Sequence, residues 1–338
     1  MRANSSTSNS NSLQNALLFL RLLAVTLVFL VAIDALVTLG LKYLLYRVDD
    51  GRYYKMRYSL YENRSDILII GSSIAEVSFS PAVFHDSLGG SCWNAGRGAQ
   101  TEPYFAAMAN HTLERYTPAI VIQTVQPTQL QSKMEYKGIG QLKPFCRFDV
   151  PLRKDLYPTN AIDRFFMNSS LVSGNSSSMY LLRPLFQKNK DGRNSDLGQK
   201  PVYHNYRGRT EFPPMWPYDN SPLIDEKMEL YRKMISDYTS RGSKVVFVTC
   251  PYYYSYAINT ATFDEFKKIA TENPNVYYFN YWNDPRFIGN NELFGDVMHL
   301  NSTGALTISR MLAHDMKEEM FNACDASTNL SVSTPPGE

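Results

Sequence analysis

The sequence predicts an α/β protein with a mainly parallel sheet, a long insert and an N-terminal transmembrane helix. Short apolar runs rich in β-branched residues alternate with helix-like stretches, the rhythm of an open sheet covered on both faces. That rhythm lapses between residues 130 and 223, a stretch of about ninety residues that is too long for an ordinary connection. Near the N-terminus, residues 22–41 form an apolar run broken only by Thr26, Asp34, Thr38 and Gly40. At about 1.5 Å per residue, such a helix can cross a bilayer.

In chain order, the first 13 residues are rich in Ser, Asn and Thr, and residues 1–20 are expected to be a disordered tail. Residues 21–42 are expected to be the anchor, bounded by Arg21 and Lys42, with no small-residue cleavage signal to suggest removal. A long buried or interfacial helix is the alternative, because Asp34 is costly in lipid unless protonated or paired.

Residues 43–321 are expected to form the main domain. Asp66-Ile67-Leu68-Ile69-Ile70 reads as its first buried strand, bounded by Gly71. A helix over 103–116 leads to a strand over 119–125. After the insert, a helix over 225–239 stops at Arg241-Gly242 and precedes a strand over 244–249. A helix over 262–270, a strand over 276–279 and a final helix over about 302–321 complete the alternation. The insert, with its Pro-, Asn- and Tyr-rich clusters, reads either as a lid in which Trp216 lines an acceptor pocket or as a packed surface excursion. Residues 322–338 are Ser/Thr/Pro-rich and expected to be disordered.

The chain has 338 residues, 44% of them hydrophobic, enough for a full core. A formal charge of +2 without a Lys/Arg block argues against nucleic acid as a partner. Cys92, Cys146, Cys250 and Cys324 lack metal-site spacing, which argues against structural zinc and leaves one or two disulfides open. No Gly-rich nucleotide loop or His/Asp/Glu cluster calls for a cofactor or metal.

In open sheets, active sites gather beyond the carboxyl ends of strands, where Ser73, Gln126 and Asn280 fall. Ser73 follows Gly71-Ser72 past the first strand and is the candidate nucleophile, with Ser72 its competitor; either serine could instead cap a turn or helix. Asp296 and His299, three residues apart before the last helix, can place a carboxylate against an imidazole. That spacing alone is also common in solvated turns. Asn94-Ala95-Gly96-Arg97-Gly98 forms a glycine-loosened loop between them in sequence.

Together these features resemble the SGNH (GDSL-like) hydrolase superfamily, particularly its membrane-anchored envelope acyltransferase and acylesterase-like branch. The first family block appears as Ile69-Ile70-Gly71-Ser72-Ser73, with Ser72 in place of the usual aspartate, and the last as Asp296-Val297-Met298-His299-Leu300-Asn301. The loop at Gly96 looks like the second block. The third block, commonly Gly-x-Asn-Asp, is replaced by Thr124-Val125-Gln126-Pro127-Thr128-Gln129.

The resemblance implies a three-layer flavodoxin-like sandwich. It also implies Ser73 as nucleophile, His299 as base and Asp296 as orienting acid. The oxyanion would be held by backbone N–H groups of Ser73 and Gly96, with the Gln126 amide standing in for the missing asparagine. The activity so implied is that of a serine-dependent esterase or O-acyltransferase acting on an acylated cell-envelope glycan or related polymer. A membrane partner that delivers acyl groups, and a catalytic domain on the periplasmic or extracellular side, belong to the same expectation. Charge counting points the other way, with Lys42, Arg47, Arg52, Lys55 and Arg57 after the helix and only Arg2 and Arg21 before it. The altered third block keeps a second reading open: a catalytically weak or inactive envelope assembly or carbohydrate-binding protein.

Overall fold

The computed structural model describes residues 6–131, 142–146, 148–156, 169–173, 196–208, 221–255 and 258–320. Five strands, β1 (Ile67–Ile70), β2 (Cys92–Asn94), β3 (Ile120–Thr124), β4 (Lys244–Thr249) and β5 (Val276–Asn280), form one sheet in the order β2-β1-β3-β4-β5. Every neighbouring pair is parallel. This is the flavodoxin-like order, in which the chain leaves β1 towards one edge and returns to lay β3 on its other side.

The helices are α1 (Ser6–Arg47), α2 (Gly51–Arg57), α3 (Ser73–Ser78), α4 (Pro81–Leu88) and α5 (Glu102–Leu113), followed by α6 (Lys143–Cys146), α7 (Val150–Leu156) and α8 (Ser170–Ser173) in the insert. After it come α9 (Asp225–Thr239), α10 (Ala261–Glu272) and α11 (Ser302–Met320). A π-helical turn, Tyr58–Glu62, continues α2.

Because side chains alternate across a strand, the all-apolar β1 feeds two cores. Leu68 and Ile70 join Val121, Val245 and Phe247 beneath α5 and α9, whose Tyr104, Phe105, Met108, Tyr231 and Ile235 are buried against them. On the other face, Ile67 and Ile69 join Ile122, Val246 and Val248 beneath α3, α4 and α11, which contribute Ile74, Phe84, Ile308 and Leu312. The three layers follow from this burial on both faces. Three of the four cysteines, Cys92, Cys146 and Cys250, are buried free thiols, while Cys324 lies outside the described residues.

The N-terminal helix overruns the expected boundaries at both ends. It begins at Ser6, within the stretch expected to be disordered, and continues to Arg47, beyond the expected anchor limit of 42. Residues 6–39 contain neither proline nor glycine, so nothing local stops propagation. Among the described residues, α1 is the one helix long and apolar enough to cross a membrane.

The two ends of α1 differ. Leu17, Phe19, Val25, Val28 and Phe29 are exposed, whereas Leu41 and Leu45, followed by Val48 just past the helix, are buried against the domain. Asp34 marks the change: its Oδ1 accepts from Ser169 Oγ at 2.8 Å and from the Leu171 backbone N–H at 3.0 Å. One turn on, the hydroxyls of Thr38 and Ser170 meet at 2.8 Å. The carboxylate in the apolar run is thus held by the start of α8 within the same chain.

The regions around Trp216 and the expected C-terminal tail over 322–338 lie outside the described residues. Residues 196–208 form a strap across the site side of the sheet. Leu197 O accepts from Asn94 N at the end of β2, and Lys200 N donates to Glu76 O on α3.

Leu45 is fully buried where α1 meets the domain. Leu45→Ala is expected to lower the unfolding free energy of the purified full chain by about 2–5 kcal/mol in denaturant titrations. Leu27→Ala, on the exposed part of α1, should change it by less than about 0.5 kcal/mol.

Candidate active site

At the carboxyl end of β1 the chain turns sharply through Gly71, whose φ of +149° is a conformation that L side chains rarely adopt. A Cβ there would collide with Thr124 Oγ1 and stand 2.8 Å from Ala75 Cβ. Only glycine lets β1 end this close to β3 and to the helix that follows. Ser72 is extended and forms the N-cap of α3, and Ser73 is that helix's first residue. The site therefore opens between the carboxyl ends of β1 and β3, the switch point of this strand order.

The second half comes from the loop before α11. Phe294 and Leu300 form an antiparallel bridge, and Gly295 N donates to His299 O at 2.8 Å, closing a compact turn. Asp296 Oδ1 accepts the backbone N–H groups of Met298 and His299, both at 2.8 Å. Asn301 anchors the turn from below, with Nδ2 donating to Glu292 O and Oδ1 accepting from Gly304 N at the start of α11.

These two halves meet at an imidazole. His299 Nε2 lies 2.8 Å from Ser73 Oγ, and His299 Nδ1 lies 2.8 Å from Asp296 Oδ2. Burial would raise the Asp296 carboxyl, but the hydrogen bonds from the His299 ring and the two backbone N–H groups outweigh it and hold the group down to about 2. An ionised carboxylate has no proton to give. A hydrogen therefore sits on His299 Nδ1, and in the neutral imidazole Nε2 is left to accept from the Ser73 hydroxyl.

Ser72, the competing serine, is placed differently. Its Oγ accepts from Gln126 Nε2 at 3.0 Å, just past β3. Gln126 thus reaches the residue beside Ser73. Its backbone N–H is held by Gln129 Oε1 at 3.3 Å, and Gln129 is fixed in turn by Glu102, which is ion-paired with buried Lys227 at 2.8 Å.

Gly96 departs from the expectation. Its N–H, expected to face the oxyanion, donates to Asn94 Oδ1 at 2.9 Å. The physical cause is an Asx turn, in which an asparagine oxygen captures the N–H two residues on. Neighbouring Gly98 N–H is likewise engaged, by Glu76 Oε2 at 2.7 Å.

Several supporting residues carry no signal of their own in the sequence. Glu76 is buried one turn after Ser73 and pairs with Lys55 at 3.3 Å and with Arg97 at 2.8 Å. Burial pushes its carboxyl up, and the two cations and the Gly98 N–H bring it down to about 2. Lys55 is fully buried, and desolvation outweighs the pull of Glu76 to lower its ammonium to about 8. The end of the strap closes over the loop that carries Asp296 and His299, where Tyr206 N donates to Phe294 O at 2.6 Å and Ser302 N to Val202 O at 2.7 Å. Among the described residues, no three His, Cys, Asp or Glu side chains converge as a metal site would require.

The chain matches no protein-family model and no curated protein sequence. Its similarities are to solved structures. One, described as a lipolytic protein of the G-D-S-L family from Desulfitobacterium hafniense, is 11% identical over 73% of this chain and 97% of that chain, with a TM-score of 0.38. Another, described as a platelet activating factor from Streptococcus pneumonia, is 9% identical over 93% and 99%, with a TM-score of 0.34. An acetyl xylan esterase from the rumen bacterium Butyrivibrio proteoclasticus is 8% identical over 75% and 64%, with a TM-score of 0.32.

Gly71→Ala is expected to destabilise the fold by at least about 1–3 kcal/mol, because it combines a disfavoured backbone angle with a clash against β3. Chemical denaturation of the purified variant measures this. Acid stability follows from the two depressed carboxyls. Glu76 and Asp296 contribute stability that is complete above their ordinary values of 4.5 and 3.8 and is lost as pH falls through about 2. The melting temperature of the wild type should fall more steeply across that window than that of Glu76→Gln.

Proposed function

We propose that the protein is a serine-dependent esterase or O-acyltransferase of the SGNH type, acting on an acylated cell-envelope glycan or related polymer. The observation that carries this reading is the unbroken contact from Ser73 Oγ through the His299 imidazole to the Asp296 carboxylate. In this reading His299 Nε2 takes the Ser73 proton as Oγ attacks an ester carbonyl, and Asp296 stabilises the imidazolium. Collapse of the tetrahedral intermediate returns that proton to the departing alcohol and leaves an acyl-enzyme. Attack by water releases the acid, and attack by a sugar or polymer hydroxyl completes a transfer.

Two donors are assigned to the developing oxyanion. Ser73 N–H stands at the first position of α3, where a helix has no internal acceptor for it. The Gln126 amide takes the second role, by a short movement from Ser72 Oγ. Gly96 serves here by shaping the loop rather than by donating, since its N–H is held by Asn94.

The exposed apolar portion of α1 would lie in the bilayer, with the catalytic domain on the periplasmic or extracellular side beside its polymer. A transferase would draw activated acyl groups from a membrane partner. The engaged Gly96 N–H favours the second reading, a catalytically weak envelope assembly or carbohydrate-binding protein, to the extent that Gln126 fails to replace it.

A charged, membrane-impermeant fluorophosphonate applied to intact spheroplasts is expected to label the wild-type chain and to leave Ser73→Ala unlabelled. His299→Ala should slow labelling at least about a thousandfold, and Gln126→Ala should lower ester turnover about a hundredfold. Unchanged labelling of Ser73→Ala refutes the nucleophile, labelling only after lysis reverses the orientation, and a wild type that does not label supports the binding-protein reading.

A further inference from the structure

Behind Ser73 lies a charge cluster that the acyl chemistry does not use. Lys55, Glu76 and Arg97 are all buried, at 1%, 3% and 6% exposure. They come from α2, from α3 and from the loop after β2. Glu76 Oε1 accepts from Lys55 Nζ at 3.3 Å and from Arg97 Nη1 at 2.8 Å, while Oε2 accepts from Gly98 N at 2.7 Å. Lys55 Nζ also donates to Gly96 O, and Arg97 N donates to Gly71 O at 2.9 Å.

Each residue of the 96–98 loop is therefore tied to the nucleophile's turn or to the cluster behind it. The fit is close. A Cβ added to Gly96 would stand 2.8 Å from the Glu76 backbone nitrogen, and one on Gly98 would stand 3.7 Å from Ser73 Cβ. Burying two cations and a carboxylate is a poor way to stabilise a fold, because desolvation offsets most of the attraction and apolar packing would do as well. What these charges supply that apolar packing would not is direction, since each hydrogen bond fixes one atom of the loop relative to α3.

We infer that Glu76 is a positioning residue: through Lys55, Arg97 and the Gly98 N–H it holds the 96–98 loop against the first turn of α3 and so sets where Ser73 Oγ stands relative to His299. This rests on the acyl-transfer reading above. It also gives α2 a part in the site, because Lys55 carries the clamp to the segment that directly follows the anchor helix.

The test uses the full chain in detergent with p-nitrophenyl acetate, after the fraction of active molecules has been titrated with a fluorophosphonate. For Glu76→Gln, kcat per titrated site should fall about tenfold to a hundredfold with KM changed less than about twofold. Lys55→Met keeps the Glu76–Arg97 pair and the Gly98 bond, so it serves if Glu76→Gln does not fold, and its kcat per titrated site should fall in the same way. A purely structural role lowers the titratable fraction and leaves kcat per titrated site at the wild-type value. That result in either folded variant overturns the inference. Wild-type titration that does not depend on Ser73 would instead overturn the acyl-transfer reading, and the two failures are distinguishable.

Discussion

One imidazole joins segments 226 residues apart in the chain. His299 is delivered by a turn before the last helix and Ser73 by a turn after the first strand, and the contact exists only if both turns hold their shape. Gly71 ends β1 against Thr124, so the serine emerges at the seam between β1 and β3. Asp296 organises the other side, accepting two backbone N–H groups as well as the ring. The same carboxylate thus shapes the loop and selects the tautomer. The parallel sheet is the rigid reference for both, because its two buried faces leave the strands little room to shift.

Carboxylates in apolar surroundings are handled by one recurring device. Asp34, in the middle of an apolar helix, is met by Ser169 and the start of α8. Glu102 is met by Lys227, and Glu76 by Lys55, Arg97 and a backbone N–H. Each of these carboxylates joins segments distant in sequence. Two of them stand behind the residues proposed for chemistry, Glu76 behind Ser73 and Glu102, through Gln129, behind Gln126. The long N-terminal helix α1 is part of the same fabric, because its last turns are buried in the core that carries α5.

What could be read from the sequence was whatever local pattern dictates. The β-branched runs at 67–70, 120–124 and 244–249 are strands, and the serine turn and Asp296-x-x-His299 each lie within one short segment. The strand Cys92–Asn94 was not legible, since three residues carry no periodicity. Neither was the clamp of Lys55, Glu76 and Arg97, which no spacing links. The present partner of the Gly96 N–H was not read although a signal existed: an asparagine two residues earlier is a strong former of Asx turns. The helix limits were missed because apolarity marks where a helix suits lipid, while propagation stops only where a breaker or a competing contact intervenes.

The proposed chemistry requires Ser73 to carry an acyl group during turnover. Its most direct measure is the mass of the full chain, acid-quenched seconds after mixing with an activated ester and then digested to locate any adduct. An increment of one acyl group is expected on the peptide that contains Ser73, retained longer in a Gln126 variant and absent from His299→Ala. An adduct on another residue, or turnover of the ester with Ser73 unmodified throughout, would contradict it.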